Sequence, residues 1–346
     1  MRVRWRDVAH VAGVSEATVS RVMNGRPGVS ARTRDVVLRA VDQLGAAALV
    51  RPRQLEAGLV GLIVPELDNP IFPAIAQLVE ARLASAGYTC VLGCTTQDVV
   101  ELEYFGMLVD REVAGIVMVS GLHADSTADH APYRELLARG VPMVFINGYA
   151  PDVPAPFVSC DDRYAAGLAV RHLASLGHRR IGFVSGTSRL VVVRRKLDGY
   201  RSALAEAGLD IDDELIVDTV FSVEGGRAST DHLVAHGATA VVAASDLLAL
   251  GTILGAREHG LSVPAQWSAV GFDDTALMAY TDPPLTTVRQ PIQAMCDHAT
   301  RLLLDQLGGG TVVGREFLFR PELVVRASTA PAPRAVLVDD PLDQRA

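Results

Sequence analysis

DVAHVAGVSEATVSRVMNG runs from Asp7 to Gly25. Its apolar residues fall at helical spacing in two short blocks separated by a glycine. Arg6–Ala12 carries Val8, Ala9, Val11 and Ala12, enough for a short helix with one packed stripe. Gly13 permits a tight turn, and Ser15 is placed to cap the next helix, with Thr18 three residues on. That second helix turns Val19, Val22 and Met23 inward. Its other face shows Glu16, Ala17, Ser20 and Arg21, with 16 over 20 and 17 over 21 one turn apart. Asn24-Gly25 ends it. Ser30 caps a third helix, whose apolar stripe is Val36, Val37, Ala40, Val41 and Leu44, and Gly45 stops it. Helix, four-residue turn, helix and bracing helix is the arrangement of a helix-turn-helix DNA reader. The bland alternative is an ordinary helical hairpin. The excess of Arg, the hydroxyl residues at both helix starts and the N-terminal position weigh against it.

Charge supports that reading. Residues 1–53 hold ten Arg, no Lys and four acids (Asp7, Glu16, Asp35, Asp42), a net of six positive charges in a chain whose total is −8. A basic head on an acidic body is the footprint of a polyanion-binding module joined to something else.

After Gly58, strand-like runs alternate with helical patterns. The runs are 59–64, 88–92, 115–120, 142–147, 180–185, 239–244 and 268–272. The helices include Ile71–Ala86, Ala165–Leu176, Lys196–Ala207 and Asp246–His259. Such alternation implies parallel sheets with helices on both faces. About 275 residues is large for one open sheet, so two lobes with a ligand cleft at the strand ends are expected. The expected boundaries are 1–45 for the head, 46–58 for a linker, 59–330 for the body and 331–346 for a disordered tail rich in Pro, Asp and Arg. No run of 18 apolar residues suggests a membrane span, and the N-terminus has no apolar signal region. Cys90, Cys94, Cys160 and Cys296 read as reduced core thiols of a cytoplasmic protein. We find no P-loop, no G-x-S-x-G, no metal-spaced His/Cys cluster and no Gly-rich dinucleotide loop after a strand, so neither an enzyme nor a bound metal or cofactor is expected.

The stretch Asp7–Gly25, followed by VSARTRDVVLRAVDQLG, closely resembles the head of the LacI/GalR family of bacterial repressors. GLIVPELDNPIFP, HLASLGHRRIGFVSG, FSVEGG, ASDLLALG, VGFDD, DPPLTTVRQP and PELVVRAST resemble, in that order, the family's effector-binding body. The resemblance implies an all-α helix-turn-helix head on a two-lobed α/β body of periplasmic-binding-protein type. It implies that Glu16 and Ala17 read bases with support from Arg21, and that Ser15, Thr18, Ser20, Asn24, Ser30 and Thr33 hold phosphates. The chemistry is sensible. Arg21 can fork onto guanine, Glu16 can accept from cytosine, Ala17 can touch a thymine methyl, and the hydroxyls set register.

Carried onto the body, the resemblance places Asn69, Phe72, Asn147, Lys196, Phe221, Ser245, Asp246, Asp273 and Gln290 in the cleft. Carboxylates and amides there fork onto vicinal hydroxyls, and an aromatic face stacks on sugar C–H groups. Lys196 stands where the family usually has Arg, which weakens bidentate recognition at that point. Asp246 either caps its helix or reaches the sugar. Asp274 and the Asp161-Asp162 pair read as loop and cap residues, and His178 as a helix-end residue.

The linker departs most from the family. AAALVRPRQLEAG replaces the usual Tyr-x-Pro-Asn turn, and Leu55 falls at the position where the family wedges a minor-groove base step, beside Arg53. Either Pro52 starts a short hinge helix and Leu55 wedges, or Arg51 and Arg53 bind phosphates and Leu55 packs on the body.

SGLHADSTADH, NGYAPDVPAPFVSCDD, VVVRRKLDGY and VFSVEGG are similar to the maltose-operon repressors of high-GC Gram-positive bacteria within the family. The implied protein is a homodimeric, sugar-responsive repressor of carbohydrate-utilisation genes. It would read a pseudo-palindromic operator and take a maltose or maltodextrin effector, with no membrane partner. The reading set against it is a sugar-binding transport component without a DNA-directed role.

Overall fold

The structure, a computed structural model, describes residues 4–23, 28–44, 58–95, 101–310 and 314–333. The head and the body are separate compact units.

In the head, α1 (Trp5–Ala12), α2 (Glu16–Met23) and α3 (Ala31–Gln43) enclose a small core. Val8, Val19, Val37 and Val41 are its most deeply buried members. Gly13 ends α1 at a φ of 63°, a left-handed conformation that glycine adopts without strain, and its N–H returns to the carbonyls of Ala9 and His10. The Ser15 hydroxyl accepts from the Thr18 N–H at 3.2 Å and opens α2. Ser30 accepts from the Thr33 N–H at 3.1 Å and opens α3. One expected core residue is misplaced. Val36 is 40% exposed, because the buried stripe of α3 runs through 37, 40, 41 and 44, and 36 lies one residue off it.

The body builds two sheets. The first takes β1 (Gly58–Val64), β2 (Tyr88–Cys94), β3 (Gly115–Val119), β4 (Met143–Ile146), β5 (Phe157–Cys160) and β11 (Glu316–Phe319), in the order β11-β5-β4-β3-β1-β2. The second takes β6 (Ile181–Ser185), β7 (Ile216–Asp218), β8 (Ala240–Ala243), β9 (Ser268–Asp273), β10 (Thr286–Arg289) and β12 (Glu322–Val324), in the order β12-β10-β9-β8-β6-β7. Paired strands, such as β1 and β3 with Leu62 beside Val117 and β9 and β10 with Phe272 beside Val288, run parallel, whereas β12 is antiparallel to β10. The inner strands are apolar throughout, as strands covered on both faces must be. Phe105, Tyr133, Phe145 and Phe157 pack in the first lobe, and Trp267 with Val241, Leu248 and Ile253 in the second.

The chain passes between the lobes three times. After β5 it enters α7 (Asp162–Ser175), which packs on α8 (Val191–Glu206) and on strands of the second lobe. After β10 it returns through α11 (Ile292–Leu307), which packs on β3, β4 and β5. After β11 it crosses to β12. Arg195 of α8 ties the lobes further, with two guanidinium nitrogens on the Glu316 carboxylate of β11 at 2.6 and 2.7 Å.

Two helix pairs come together backbone to backbone. In the first, a Cβ on Gly199 of α8 would lie 2.1 Å from the Arg163 carbonyl oxygen of α7. In the second, α9 (Val223–Ala235) and α10 (Asp246–Glu258) meet through Gly226 and Gly251, where a Cβ would lie 2.1 Å from the carbonyls of Leu248 and Val223 respectively. Any larger residue at these three positions would push the helix starts apart, and those starts carry cleft residues.

The remaining singled-out polar residues have plain structural duties. Asp161 caps α7 by accepting from the Tyr164 N–H at 3.0 Å. Asp274 is held by Arg289 and Arg326, each at 2.6 Å. His178 follows α7 but is more than a helix end. It is buried, with Nδ1 2.8 Å from the Thr239 hydroxyl and Nε2 3.0 Å from the Ala330 carbonyl, and burial lowers its pKa. All four cysteines are free thiols, but only Cys160 and Cys296 are buried, because Cys90 and Cys94 lie on the partly covered strand β2. Residues 45–57 and 334–346 lie outside the described residues. So the linker, including Arg53 and Leu55, and most of the expected tail receive no structural account.

Candidate functional site

A cavity opens between the lobes at the C-terminal ends of β1, β3, β4, β8 and β9, with an empty volume of about 820 Å³ counted to its open mouth. The polar groups lining it are Glu66, Asn69, Ser120, Asn147, Lys196, Ser245, Asp273 and Gln290. Phe72, Phe221 and Phe272 supply ring faces.

Each polar group is placed by the element that ends or starts beside it. Ser120 and Asn147 follow β3 and β4 with φ values of 48° and 63°, and Asp273 ends β9 at 126°. These conformations are costly for residues with a Cβ and gather where a site demands them. The Asn147 amide donates to the Ser120 hydroxyl at 2.6 Å. The Gln290 amide donates to Asp273 Oδ1 at 2.6 Å. Ser245 caps α10, its hydroxyl accepting from the Leu248 N–H at 3.2 Å. Asn69 accepts from the Ile71 N–H at 3.3 Å, at the head of α4 (Ile71–Ser85). Phe221 leans over Gly186, where a Cβ would lie 2.3 Å from its ring.

The floor of the cleft is a buried charge network. Lys196 Nζ lies 2.8 Å from Asp162 Oδ1 and 3.9 Å from the centre of the Phe272 ring. Burial raises the Asp162 pKa, and the Lys196 charge pulls it back. Asp273 is raised well above the usual carboxylate range, first by burial and then by the charge of Asp246. Gln290 and Lys196 oppose the rise. Glu66, at the mouth, is raised by burial and then by Asp68.

Eight of the nine residues expected in the cleft line the cavity: Asn69, Phe72, Asn147, Lys196, Phe221, Ser245, Asp273 and Gln290. Asp246 does not. Nor does it cap α10, since Ser245 holds that place. Its carboxylate is turned beneath the cleft, accepting from the Thr275 N–H at 3.0 Å and the Thr287 hydroxyl at 2.6 Å. The glycine of VGFDD explains how it fits, because a Cβ on Gly271 would stand 2.6 Å from Asp246 Oδ1. Sequence reading missed Glu66, Ser120 and Phe272, although each lies within or directly after a strand ending at the cleft. It also missed a metal-type spacing: His232 and His236 lie four residues apart at the C-terminal end of α9, close to Glu214.

On the head, Glu16, Ala17 and Arg21 are exposed on α2. Ser20 is half-buried on the same helix. Ser15 and Thr18 share a hydroxyl hydrogen bond of 2.9 Å, and Ser30 and Thr33 one of 2.8 Å. All four also belong to the helix caps. Asn24 lies outside the described residues.

Among the described residues no helix is long and apolar enough to cross a membrane. Residues 5–45 match the bacterial regulatory proteins of the lacI family, and residues 170–329 match a periplasmic binding protein-like domain. The chain is 54% identical over 342 residues to the HTH-type transcriptional regulator MalR of Streptomyces coelicolor, covering 96% of this chain and 98% of that one. Among solved structures it is similar to the transcriptional regulator CelR in complex with cellobiose, with a TM-score of 0.71 and 32% identity over 94% of this chain and all of the other. It is also similar to the lac repressor dimer bound to operator and an anti-inducer, with a TM-score of 0.69 and 28% identity over 95% of this chain and all of the other. The chain is therefore a DNA-binding transcriptional regulator, not an enzyme, and belongs to the lacI family.

Proposed function

We propose that the protein is a repressor of carbohydrate-utilisation genes whose effector is a neutral sugar of the maltose or maltodextrin class, held in the cleft between the lobes. The observation that carries the reading is the lining itself. Amides of Asn69, Asn147 and Gln290, hydroxyls of Ser120 and Ser245 and the carboxylate of Asp273 surround ring faces of Phe72, Phe221 and Phe272. Such a set matches vicinal hydroxyls on one side and sugar C–H faces on the other. The similarity to a regulator named MalR, and to one solved with cellobiose, favours a glucose-built disaccharide.

In this reading two copies pair about a twofold axis and read a pseudo-palindromic operator through α2. Glu16, Ala17 and Arg21 read bases; Ser15, Thr18, Ser20, Asn24, Ser30 and Thr33 contact phosphates; Arg53 and Leu55 of the linker join them. The dimer is supported by the exposed apolar side chains of Leu277 and Tyr280, 64% and 85% accessible, and by the dimeric state of the similar lac repressor. Sugar favours one arrangement of the lobes and so changes how both heads meet adjacent half-sites.

The test is a gel-retardation titration of the purified protein on DNA from upstream of its own gene and neighbouring sugar genes, with and without maltose, maltotriose, cellobiose, trehalose and ribose. Release by maltose or maltotriose alone is expected. Release by another sugar and not by these overturns the effector class. DNA binding that no sugar alters overturns the cleft as an effector site.

A further inference from the structure

Glu214, His232 and His236 converge on an exposed patch of the second lobe, apart from the cleft lining. His232 lies in the last turn of α9 and His236 caps its C-terminal end one turn on, so their rings share a face, with centroids 4.1 Å apart. Glu214 sits in the short 3-10 turn Asp213–Leu215 that leads into β7. Its Oε2 lies 3.6 Å from Nε2 of His232 and 3.7 Å from Nε2 of His236. One ligand atom from each residue lies within 4.8 Å of the other two. A tetrahedral zinc ion with ligands at about 2.0–2.1 Å spaces its donor atoms about 3.4 Å apart. The three side chains therefore stand close to that spacing before any ion arrives.

The ring nitrogens are also oriented. His236 Nδ1 lies 2.8 Å from the His232 carbonyl oxygen, to which it donates, leaving the Nε2 lone pair toward Glu214. His232 Nε2 lies 2.8 Å from the Glu214 carbonyl and donates to it. When an ion takes that nitrogen, the proton moves to Nδ1 and coordination replaces the hydrogen bond. The neighbouring cation, Arg180, is already occupied, with one nitrogen on Asp212 Oδ2 at 2.7 Å and another on the His236 carbonyl at 2.9 Å.

We infer that Glu214, His232 and His236 form a surface site for a zinc-class divalent cation, with water in the fourth position. Two imidazoles and one carboxylate select zinc, nickel or copper over magnesium and calcium, which prefer oxygen ligands. The side chains are 66%, 43% and 36% accessible, so the ion enters from solvent at the cost of one tautomer change and one hydrogen bond, both at His232. It would staple α9 to the segment before β7. Phe221 lies at the opposite end of α9, about 18 Å away along the helix at 1.5 Å per residue, so the ion does not compete with a cleft ligand.

The experiment is calorimetric titration of the metal-free full chain with zinc, and separately with magnesium, followed by thermal melts with and without zinc. We expect one zinc per chain, no magnesium binding and a melting temperature that rises with zinc. His232→Ala and His236→Ala should each weaken zinc binding about tenfold or more and remove the melting shift, while their melts without metal stay cooperative. Cys90→Ser/Cys94→Ser should bind zinc like the parent. No saturable zinc binding, binding that survives His236→Ala, or binding lost in the cysteine variant would each overturn the site.

Discussion

Lys196 Nζ and Asp162 Oδ1 are 2.8 Å apart, and both side chains are buried, at 7% and 0% exposure. The lysine therefore reaches the cleft already paired, its charge answered by α7 before any ligand arrives. Removing it strands a carboxylate in an apolar floor. Lys196→Met is expected to destabilise the body by about 3–5 kcal/mol in urea denaturation, and Lys196→Arg by much less. A loss below about 1 kcal/mol for Lys196→Met would show that Asp162 does not depend on the lysine for its charge.

Asp273 contributes to the pH dependence in the same direction as Asp246 and Asp162, whose pKa values burial also raises. Its folded pKa is raised above the unfolded one, first by burial and then by Asp246. The folded state thus holds a proton that the unfolded state has released. The associated stability is fully present below the ordinary carboxylate range and is lost as pH rises through the folded value. Buried His123 and His178, whose pKa values are lowered by burial, act in the opposite direction, so the useful quantity is the difference between parent and variant. Asp273→Asn keeps an acceptor for Gln290 and removes the charge. It should stabilise the ligand-free protein at neutral pH by roughly 1–3 kcal/mol, with little gain in mild acid, and abolish the sugar response. Melts at both pH values and operator binding with maltose check the two halves separately.

Asp273 holds its proton, but the Glu66 carboxylate at the mouth is left unanswered, because the one cation among the described lining residues, Lys196, is paired with Asp162. An anionic sugar would meet that negative charge. Free disaccharide should act at concentrations about a hundredfold lower than its 6-phosphate, a difference of about 2.7 kcal/mol. Glu66→Gln should narrow that ratio while leaving operator binding intact. Fluorescence anisotropy of labelled operator measures both, and equal potency of the two sugars would refute the charge argument.

On the head, Arg21 is exposed near the end of α2, one turn beyond Ala17. Arg21→Ala should cost about 1–3 kcal/mol on the operator and relax preference at one base pair per half-site. Arg32→Ala is the comparison, since it neutralises an exposed charge without touching the reading face. If both variants lose equal affinity on operator and on random DNA, α2 is not the reading helix.

Much of the fold was legible because its signals are local. The strands β1, β3, β4, β6, β8 and β9 are short apolar runs, and the head is punctuated by Gly13, Ser15 and Ser30. The strands that went unread, β5, β7, β10, β11 and β12, are three or four residues long, and all but β5 carry a charged residue. Such short strands have no periodicity to read. The cleft residues came from matched positions along the chain, which say where a backbone goes but not where a side chain turns. Asp246 was misjudged for that reason. Its direction depends on Thr275 and Thr287, 29 and 41 residues away, and on the missing Cβ of Gly271.

The three passages between the lobes bear on how the molecule is made. Neither lobe is a continuous stretch of chain: each waits for its last strand, β11 or β12, both within residues 316–324. On the ribosome the helix-turn-helix head emerges complete, long before either sheet can close. A transcript that stopped short of Glu316 would therefore yield an intact head on two unfinished lobes, each lacking an edge strand. The codons for residues 316–324 guard both lobes of the body at once, so a nonsense change just before them is as damaging to the body as one in its middle.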